Sequence, residues 1–559
     1  MTDTKNETAR LRAGLINVTY VLSPKTRITD ESIGLCHLAS YLREINFPVK
    51  LFQFHTRQDT DLLAEEVLAF KPDVVGFQPF IDTIETIIEL SLELKKREKD
   101  ITIILGGHFA TFNSREILAE GPFDFIIKGE GEEALVDVMS AVQAKTAIQN
   151  LPGLIYTDKG KVVETPDRPA ISDLDTLPFP ARDYLEKQST PDRQITARII
   201  TSRGCLRHCS YCSVSTFYKK LGQKRWRGRT VENIVDEIEQ LHNVYGVTFF
   251  NINDSSFEDP DPYQKERLKK FCREIIKRGL EISLKVNFRP ESFTERDRDT
   301  IKLLKHAGVD IVFLGAESGS SVELKRFRRS PDVEKIIESI RLFEAENIFI
   351  IIGFIMFTPY TTFEDLFENL KFLKRAGKRY SSLYYSNRVI AYKGTHIYDR
   401  ISQDRLFLPN ASYKEKFNYR FVDSRIERIH TFVDNLMGDA AIRRNRVLLY
   451  DLENIYARSL NKLNKGAHEY FDFTALKNRL MEIEDAIGNI YHDTIMNRIK
   501  RIENEPDADL HHDQAAKDIL PVIEKHTRLL KILLEALIRT LNHKGYSMHN
   551  LYLQTWDEF

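Results

Sequence analysis

Apolar and polar positions alternate in two different rhythms along the first part of the chain. Short apolar runs are typical of buried strands, and amphipathic stretches with apolar residues three or four apart are typical of helices. Because a helical pattern follows each strand pattern, the sequence predicts a doubly wound α/β sheet of parallel strands. We expect strands at residues 15–21, 49–54, 74–77, 101–105 and 123–127, and helices at 31–45, 60–70, 83–96 and 132–142.

A second series of apolar runs begins near residue 195 and repeats six times. Six strand–helix units predict a partial (β/α)6 TIM-like barrel, in which the chemistry would lie on the loops after the strands. The expected strands are 196–201, 247–252, 282–286, 310–314, 348–356 and 383–389, and the clearest helices are 231–245, 263–277 and 295–306.

Beyond residue 395 the pattern changes to long amphipathic helices without strands. The helices expected at 422–435, 439–460, 475–504 and 511–542 indicate a C-terminal helical bundle. Residues 146–190 carry clusters of Pro and Asp that are typical of a linker. We therefore expect an N-terminal domain over 1–145, the linker, a partial barrel over 191–395 and a helical domain over 396–559.

The charge of the chain is balanced, with 81 basic and 82 acidic residues. This balance provides no general attraction to nucleic acid or to a membrane surface. Residues 1–12 lack the apolar core of a signal peptide, and we find no run of about 18 apolar residues that could span a bilayer. We therefore expect a cytoplasmic protein without a nucleic-acid partner.

Three of the five cysteines, Cys205, Cys209 and Cys212, follow the spacing C-x3-C-x2-C. Three thiolates can bind three irons of a cuboidal iron–sulfur cluster and leave the fourth iron open to a small molecule. The alternatives are apolar cysteines buried in a turn or part of a zinc site, but zinc favours four ligands and no second C-x2-C pair follows. The isolated Cys36 and Cys272 lie in helical patterns and are expected in the core.

This cysteine motif, with Tyr211 just before the last cysteine, resembles that of the radical S-adenosylmethionine (SAM) superfamily. The resemblance implies one 4Fe–4S cluster on the three cysteines and SAM at the open iron. Reductive cleavage of SAM would give a 5′-deoxyadenosyl radical that removes a hydrogen atom from the substrate. An external one-electron donor of the flavodoxin or ferredoxin type is implied as well.

Polar residues at the ends of the later strands resemble the SAM-binding loops of that superfamily. Each could instead cap a helix or face solvent, but they occur together at successive strand ends. Residues 358–362 depart from the family pattern, because Thr-Pro-Tyr-Thr-Thr stands near the place of the usual Pro-Gly-Glu-Thr. The implied SAM contacts, with Asp254 on the ammonium group and Arg289 on the carboxylate, are Tyr211, Asp254, Arg289, Glu317, Ser318 and Gly353.

Three phrases of the N-terminal domain, at residues 32–42, 106–111 and 129–132, resemble the cobalamin-binding domain of one large radical SAM subgroup. The resemblance implies a flavodoxin-like or Rossmann-like sheet that holds cobalamin at its strand ends. Residues 29–34 lack the histidine with which cobalamin-dependent mutases ligate cobalt, and the glycines could serve only tight turns. An empty, degenerate domain is therefore an alternative. The implied cobalamin contacts are Gly76, Gln78, Gly106, Gly107, His108, Gly129 and Glu130.

The two resemblances together point to enzymes like the class B radical SAM methyltransferases. The hypothesis is a cobalamin-dependent enzyme that methylates an unactivated carbon or phosphorus centre of a small biosynthetic substrate or a peptide. The alternatives are a rearrangement, ring contraction or cyclisation without methyl transfer, and a sensor without turnover. For the methyltransferase, we expect both cofactors to face one cavity between residues 76–79, 106–111 and the cysteine loop.

Overall fold

The first sheet of the protein has seven strands. The structure, a computed structural model, describes residues 11–20, 31–188, 196–222, 224–463, 473–510 and 512–543. The strands of this sheet are β1 (Ala13–Thr19), β2 (Val49–His55), β3 (Val74–Phe77), β4 (Thr102–Gly106), β5 (Phe125–Ile127), β6 (Leu154–Asp158) and β7 (Lys161–Glu164). Their order is β2-β1-β3-β4-β5-β6-β7, and the first five are parallel. The predicted doubly wound parallel sheet is confirmed.

Helices cover both faces of this sheet. They are α1 (Ile33–Glu44), α2 (Thr60–Ala69), α3 (Ile84–Arg97), α4 (Gly107–Phe112), α5 (Ser114–Glu120) and α6 (Glu132–Ala144). One apolar core lies under α2 and α3, and a second lies under α1 and α6. The pattern did not predict α4 and α5, because helices of six and seven residues are too short to show a 3.6-residue repeat.

Part of the predicted linker extends the first sheet. The strands β6 and β7 pair antiparallel, and β6 pairs antiparallel with β5. Lys159 and Gly160 between them have φ values of 48° and 77°, which are typical of a two-residue hairpin turn.

The second sheet has five parallel strands in the order β14-β13-β12-β11-β8, and β9 pairs antiparallel with β10 beside it. These strands are β8 (Thr196–Ile199), β9 (Ser202–Gly204), β10 (Trp226–Gly228), β11 (Phe249–Ile252), β12 (Ser283–Phe288), β13 (Val309–Glu317) and β14 (Phe349–Phe354). The helices around them are α7 (Asp183–Gln188), α8 (Ser213–Lys220), α9 (Val231–Tyr245), α10 (Glu266–Lys277), α11 (Arg298–His306), α12 (Ser321–Arg326), α13 (Val333–Ala345) and α14 (Phe363–Arg375).

The predicted sixth barrel strand, at residues 383–389, is wrong. Leu383–Ser386 form the short helix α15, and only Arg388 makes a single parallel bridge, to Phe357. Side chains take the place of a strand at this edge: the backbone N–H of Ile352 donates to the Tyr384 hydroxyl at 3.3 Å, and the Asn387 amide donates to the carbonyl of Phe354 at 2.9 Å. These two bonds satisfy one N–H and one C=O of the β14 edge, and backbone bonds from Met356 and Phe357 to the carbonyl of Asn387 continue the contact beyond the strand.

The C-terminal region is helical, as predicted. Its helices are α16 (His396–Gln403), α17 (Ser424–Met437), α18 (Ala440–Leu463), α19 (Phe473–Asn504) and α20 (His512–His543). Helix α18 packs against β13 and β14, and one apolar core runs from the second sheet into the bundle. Among the helices of the described ranges, none is both long and apolar enough to cross a bilayer.

Candidate active site

The cysteine loop runs from the end of β9 to the start of α8. Gly204 turns the chain into the loop with φ 92°, and a Cβ there would lie 1.9 Å from the carbonyl oxygen of Arg225. The backbone N–H of Arg207 lies 3.5 Å from the Sγ of Cys205. Burial raises the pKa of the Cys205 thiol to about 11, although this hydrogen bond opposes the rise.

Cys212 is the N-cap residue of α8, so its sulfur lies beside the positive end of a helix. Burial raises the pKa of its thiol, whereas hydrogen bonds from the backbone N–H groups of Val214 and Ser215 lower it. All five cysteines are free thiols, and Cys36 and Cys272 are buried as predicted. The loop thus offers backbone donors to two of its three sulfurs.

Arg329 contacts the third cysteine and was not predicted from the sequence. Its Nη1 lies 3.8 Å from the Sγ of Cys209, and its Nη2 donates to the carbonyl of Gly315 at 2.5 Å and to Glu291 at 3.2 Å. A fixed cation beside a thiol stabilises the thiolate, which is the form that binds iron. No local motif marks Arg329, because only the fold brings it to the cysteine loop.

The chemistry of these donors fits an iron–sulfur cluster better than a single metal ion. In the described part of the chain, no three His, Cys, Asp or Glu side chains converge closely enough to hold one metal ion. The three cysteines of a cluster bind different irons, so they need not converge in that way. The N–H donors at Cys205 and Cys212 and the cation at Cys209 suit sulfurs that carry negative charge.

Tyr211 and Glu317 meet beside the cysteines. A side-chain hydrogen bond joins them, and burial raises the pKa of both groups. Glu317 ends β13 at a register shift and has φ 67°, a left-handed conformation that is uncommon for a residue with a Cβ. A Cβ at Gly353 would lie 3.5 Å from a carboxylate oxygen of Glu317. The structure therefore brings together three of the residues implied as SAM contacts.

Asp254 lies below the surface of the site. Its carboxylate accepts hydrogen bonds from the backbone N–H groups of Thr201 and Ser202, at 2.7 and 3.1 Å, and from both of their hydroxyl groups. Its neighbours Asn253 and Ser255, not Asp254 itself, line the adjacent cavity. In this structure Asp254 fixes the start of the cysteine loop, and its contact with an ammonium group stays a prediction.

Arg289 and Ser318 also have protein partners. The Arg289 guanidinium donates to Glu258 at 2.9 Å and to Asp259, and all three residues are buried. The hydroxyl of Ser318 lies 3.1 Å from Glu323 and 2.8 Å from the amide oxygen of Asn369. The sequence could not show these partners, because each lies on a different element.

One cavity of about 410 Å³ lies between the first sheet and the cysteine loop. Every residue implied as a cobalamin contact lines it, and so do several residues of β9 and α8. Its lining residues include Gly76, Gln78, Gly106, Gly107, His108, Gly129 and Glu130 from the first sheet, and Ser202, Arg203, Gly204, Val214, Phe217 and Tyr218 from β9 and α8, which flank the cysteine loop. The three cysteines themselves are not among its lining residues, so a cavity shared by both cofactors stays a prediction.

Gln78 lies between two glycines of the cavity wall. Its side chain accepts a hydrogen bond from the Ser32 hydroxyl at 3.2 Å. A Cβ at Gly34 or Gly107 would lie 3.1 or 3.2 Å from the Gln78 side chain, and Gly107 has φ 89°. The glycines keep this wall flat, so that a planar group can approach the backbone.

His108 joins the two halves of the cavity. Its ring stacks on Phe217 of α8 with centroids 4.0 Å apart. Burial lowers the pKa of His108 to about 4, so the imidazole is neutral at physiological pH. His108 lines the cavity, and its contact with the implied cofactor stays a prediction.

Glu130 forms an ion-pair cluster that crosses from the first sheet to the cysteine region. It binds Arg203 at 2.9 Å and Arg227 at 2.8 Å, and Arg203 also binds Glu132 at 2.5 Å. Burial opposes the charge of Glu130, but the hydrogen bond from Arg227 and the charge of Arg203 hold its pKa below the ordinary value. The segment of residues 129–132 thus both lines the cavity and joins the first sheet to the cysteine region through its two glutamates.

His37 lines the same cavity and was not predicted from the sequence. It is 7% exposed, and neither ring nitrogen has a hydrogen-bond partner among the described residues. Burial and then the charge of Arg203 lower its pKa to about 3, so the ring is neutral. An unpaired buried ring is costly unless a ligand completes its hydrogen bonds.

These features fit cobalamin, a flat macrocycle whose rim carries amide groups. Glycines give the cavity a flat wall, and His37 and Gln78 supply polar atoms at its edge. Thr29 and Asp30, from the stretch that lacks the mutase histidine, lie outside the described residues.

Two parts of the chain match protein families. Residues 199–373 match the radical SAM superfamily, and residues 29–139 match the B12 binding domain. The chain is 27% identical over 383 residues to an uncharacterized methyltransferase of Pyrococcus horikoshii. The aligned region covers 68% of this chain and 80% of that protein. It is 31% identical over 321 residues to the anaerobic magnesium-protoporphyrin IX monomethyl ester cyclase of Cereibacter sphaeroides. That aligned region covers 55% of this chain but only 50% of the cyclase.

A solved structure shares the whole architecture. The cobalamin-dependent SAM radical enzyme OxsB, with aqua-cobalamin bound, superposes with a TM-score of 0.69 at 19% identity, over 98% of this chain and 84% of that one. At this identity the likeness shows the fold alone. The cysteine motif, the cavity and the two matched domains agree with one another. The chain therefore has a B12-binding domain in front of a radical SAM domain, which is the domain arrangement of a radical SAM enzyme with a cobalamin-binding domain.

Proposed function

We propose that this enzyme transfers a methyl group to an unactivated carbon or phosphorus centre of a small biosynthetic substrate or a peptide. The observation that carries the proposal is the position of one cavity, whose walls are the glycine-lined strand ends of the first sheet and the elements β9 and α8 that flank the cysteine loop. A methyl donor and a radical initiator must face the same substrate, and this cavity suits that arrangement. The similarity to a methyltransferase along most of that protein's length supports the proposal.

The cofactors supply the reactive groups. A 4Fe–4S cluster on Cys205, Cys209 and Cys212 would supply the electron that cleaves SAM, and cobalamin in the cavity would supply the methyl group. The protein residues would then bind and orient the cofactors and the substrate, and they would exclude water. The pair Tyr211 and Glu317 and the residue Gly353 would form the SAM wall, with Asp254 and Arg289 fixing the loops beneath it.

Contacts between the two halves hold the two walls of the cavity in register. The ion pairs of Glu130 with Arg203 and Arg227 are largely buried, and the ring of His108 packs on Phe217. A water-poor cavity protects a carbon radical from side reactions. Loss of either contact should therefore loosen the alignment of the two cofactors.

The test begins with anaerobic reconstitution of the enzyme and measurement of iron and cobalamin. The reconstituted enzyme, a low-potential reductant and SAM with a labelled methyl group are then incubated with candidate substrates. Methyl transfer gives 5′-deoxyadenosine, S-adenosylhomocysteine and a labelled product. The variant Cys209→Ala should lose iron and all three products. Reconstituted protein that holds no iron would refute the proposal.

A cyclisation or rearrangement without methyl transfer is the second candidate. It is favoured by the 31% identity to a cyclase, which exceeds the identity to the methyltransferase. In the same incubation this reaction gives 5′-deoxyadenosine and an unlabelled product. A sensor without turnover would bind the cofactors and give none of the three products.

A further inference from the structure

A cationic groove lies on the outer side of the cysteine loop. It has a volume of about 590 Å³. Lys219, Lys220 and Arg328 are its cationic lining residues, Asp399 is its acidic one, and His208 and His396 also line it. Both lysines, Arg328 and His396 are exposed. Asp399 is the one acidic residue in this lining, so the groove is positive overall.

Helix α8 separates this groove from the cofactor cavity. One face of the helix lines the cavity and the other lines the groove, with the spacing of three to four residues that a helix requires. Val214, Phe217 and Tyr218 line the cavity, and Ser215, Thr216, Lys219 and Lys220 line the groove. A molecule bound in the groove therefore lies on the opposite side of α8 from the substrate space.

The groove lies beside the cysteine loop. His208 lines it and is the chain neighbour of Cys209. Thr216 also lines it, and its hydroxyl lies 3.5 Å from the carbonyl oxygen of Cys212. The groove therefore reaches residues that adjoin two of the three cysteines.

The cations of the groove have no acidic partners that neutralise them. Within the described ranges, no ion pair involves Lys219, Lys220 or Arg328, and Arg225 beside them also has none. The whole chain carries a formal net charge of −1, so the positive field here is local. Such a field attracts and orients an acidic partner.

We propose that this groove is the docking site for an acidic one-electron carrier protein. The inference rests on the proposed function, because only a cluster at the cysteines needs such a carrier. A reduced flavodoxin would lose one electron, its anionic flavin hydroquinone becoming the neutral semiquinone without loss of a proton, and the cluster would gain that electron. The electron enters from the groove side while the substrate faces the cavity.

An anionic substrate is a poorer occupant for the groove. A substrate must reach the radical on the cavity side, and α8 stands between the two spaces. The carrier needs only a short path to the cluster, and the groove touches residues adjacent to Cys209 and Cys212. Charge and position therefore both favour the carrier.

The test measures binding and electron uptake with a bacterial flavodoxin as the probe. The double variant K219E/K220E reverses two charges, and K219Q/K220Q removes them. The matched control K302E/K374E reverses two exposed lysines on α11 and α14, outside the groove. At low salt we expect the flavodoxin Kd to rise about tenfold or more for K219E/K220E and less for K219Q/K220Q, with no change for the control. High salt should reduce the difference, because it screens the charges.

Electron uptake separates this inference from the proposed function. All variants should hold the same iron and should be reduced equally by titanium(III) citrate, whereas flavodoxin semiquinone should form more slowly with K219E/K220E. Equal Kd and equal semiquinone formation for K219E/K220E and wild type would overturn the docking site alone. Wild-type protein without iron would overturn the proposed function and this inference with it.

Discussion

The Nη1 atom of Arg329 lies 3.8 Å from the Sγ atom of Cys209. The same guanidinium binds the carbonyl of Gly315 and the carboxylate of Glu291. Burial opposes the charge of Arg329, but Glu291 and Glu317 raise its pKa, so the side chain stays cationic. A fixed positive charge thus lies at one cysteine of the proposed cluster and links it to the end of β13.

Replacement of Arg329 should change the potential of the cluster. A nearby cation favours the reduced, more negative cluster, so the Arg329→Gln variant should have a lower midpoint potential, by on the order of tens of millivolts. The measurement is a redox titration followed by electron paramagnetic resonance. Arg329→Lys keeps the charge and should stay closer to wild type. Equal potentials for the Gln and Lys variants would contradict this role.

Gly106→Val should obstruct cobalamin without disturbing the fold. Gly106 has φ −151°, an extended conformation that valine adopts readily. A Cβ there would meet only the carbonyl oxygen of Ile127, 4.0 Å away, although the residue lines the cavity. We expect cobalamin affinity to fall about tenfold or more, since about 1.4 kcal/mol of lost contact suffices. Gly106→Ala should have a smaller effect.

The cobalamin titration needs a check on the cluster. Iron content should be the same in wild type, Gly106→Ala and Gly106→Val. Undiminished cobalamin binding by Gly106→Val would show that the cofactor does not lie against this wall.

Loss of Glu130 should destabilise the contact between the two halves of the enzyme. The Glu130→Gln variant leaves Arg203 and Arg227 without the carboxylate that they share, and both are largely buried. Removing one partner of a buried ion pair lowers the free energy of unfolding by about 3 kcal/mol. Urea unfolding of the cofactor-free protein measures this cost. Lys96→Gln is the control, because its pair with Glu93 is exposed and should contribute less than about 0.5 kcal/mol. Equal losses in the two variants would contradict the prediction.

Glu323 should make stability depend on pH. Burial and the neighbouring Asp365 raise its pKa from 4.5 to about 7. Between these values the folded state keeps a proton that the unfolded state has released, so stability falls as the pH rises from 4.5 to 7. The loss amounts to roughly 3 kcal/mol and is complete above pH 7.

The variant Glu323→Gln cannot titrate, and this fall should disappear. Urea unfolding between pH 4.5 and 8 measures the slope. The control Glu66→Gln changes an exposed carboxylate on α2 and should keep the wild-type slope. A wild-type slope in Glu323→Gln would exclude Glu323 as its source.

The sequence predicted those features that depend on local patterns. The cysteine spacing, the alternation of strands and helices and the glycine phrases each lie within a short stretch, and each corresponds to an element or loop of the fold. The position of the cavity at the first sheet could be predicted because ligands bind at the carboxyl ends of parallel strands. That the cluster faces the same cavity stays a prediction.

Pairings between distant elements could not be predicted. The sequence shows that Arg289 and Asp254 are charged, but not that Glu258 and Asp259 neutralise the first or that Thr201 and Ser202 surround the second. The role of Arg329 depends on α12 ending near the cysteine loop. The absent sixth strand has a similar cause, because the apolar run at 383–389 contacts the edge of β14 through the side chains of Tyr384 and Asn387.

Pulsed electron paramagnetic resonance can test whether the cluster and cobalamin face one cavity. The protein is loaded with both cofactors, and both are brought to paramagnetic states. We expect a magnetic interaction between the two spins that weakens in the Gly106→Val variant as cobalamin is lost. Two fully loaded cofactors whose spins do not interact would contradict it.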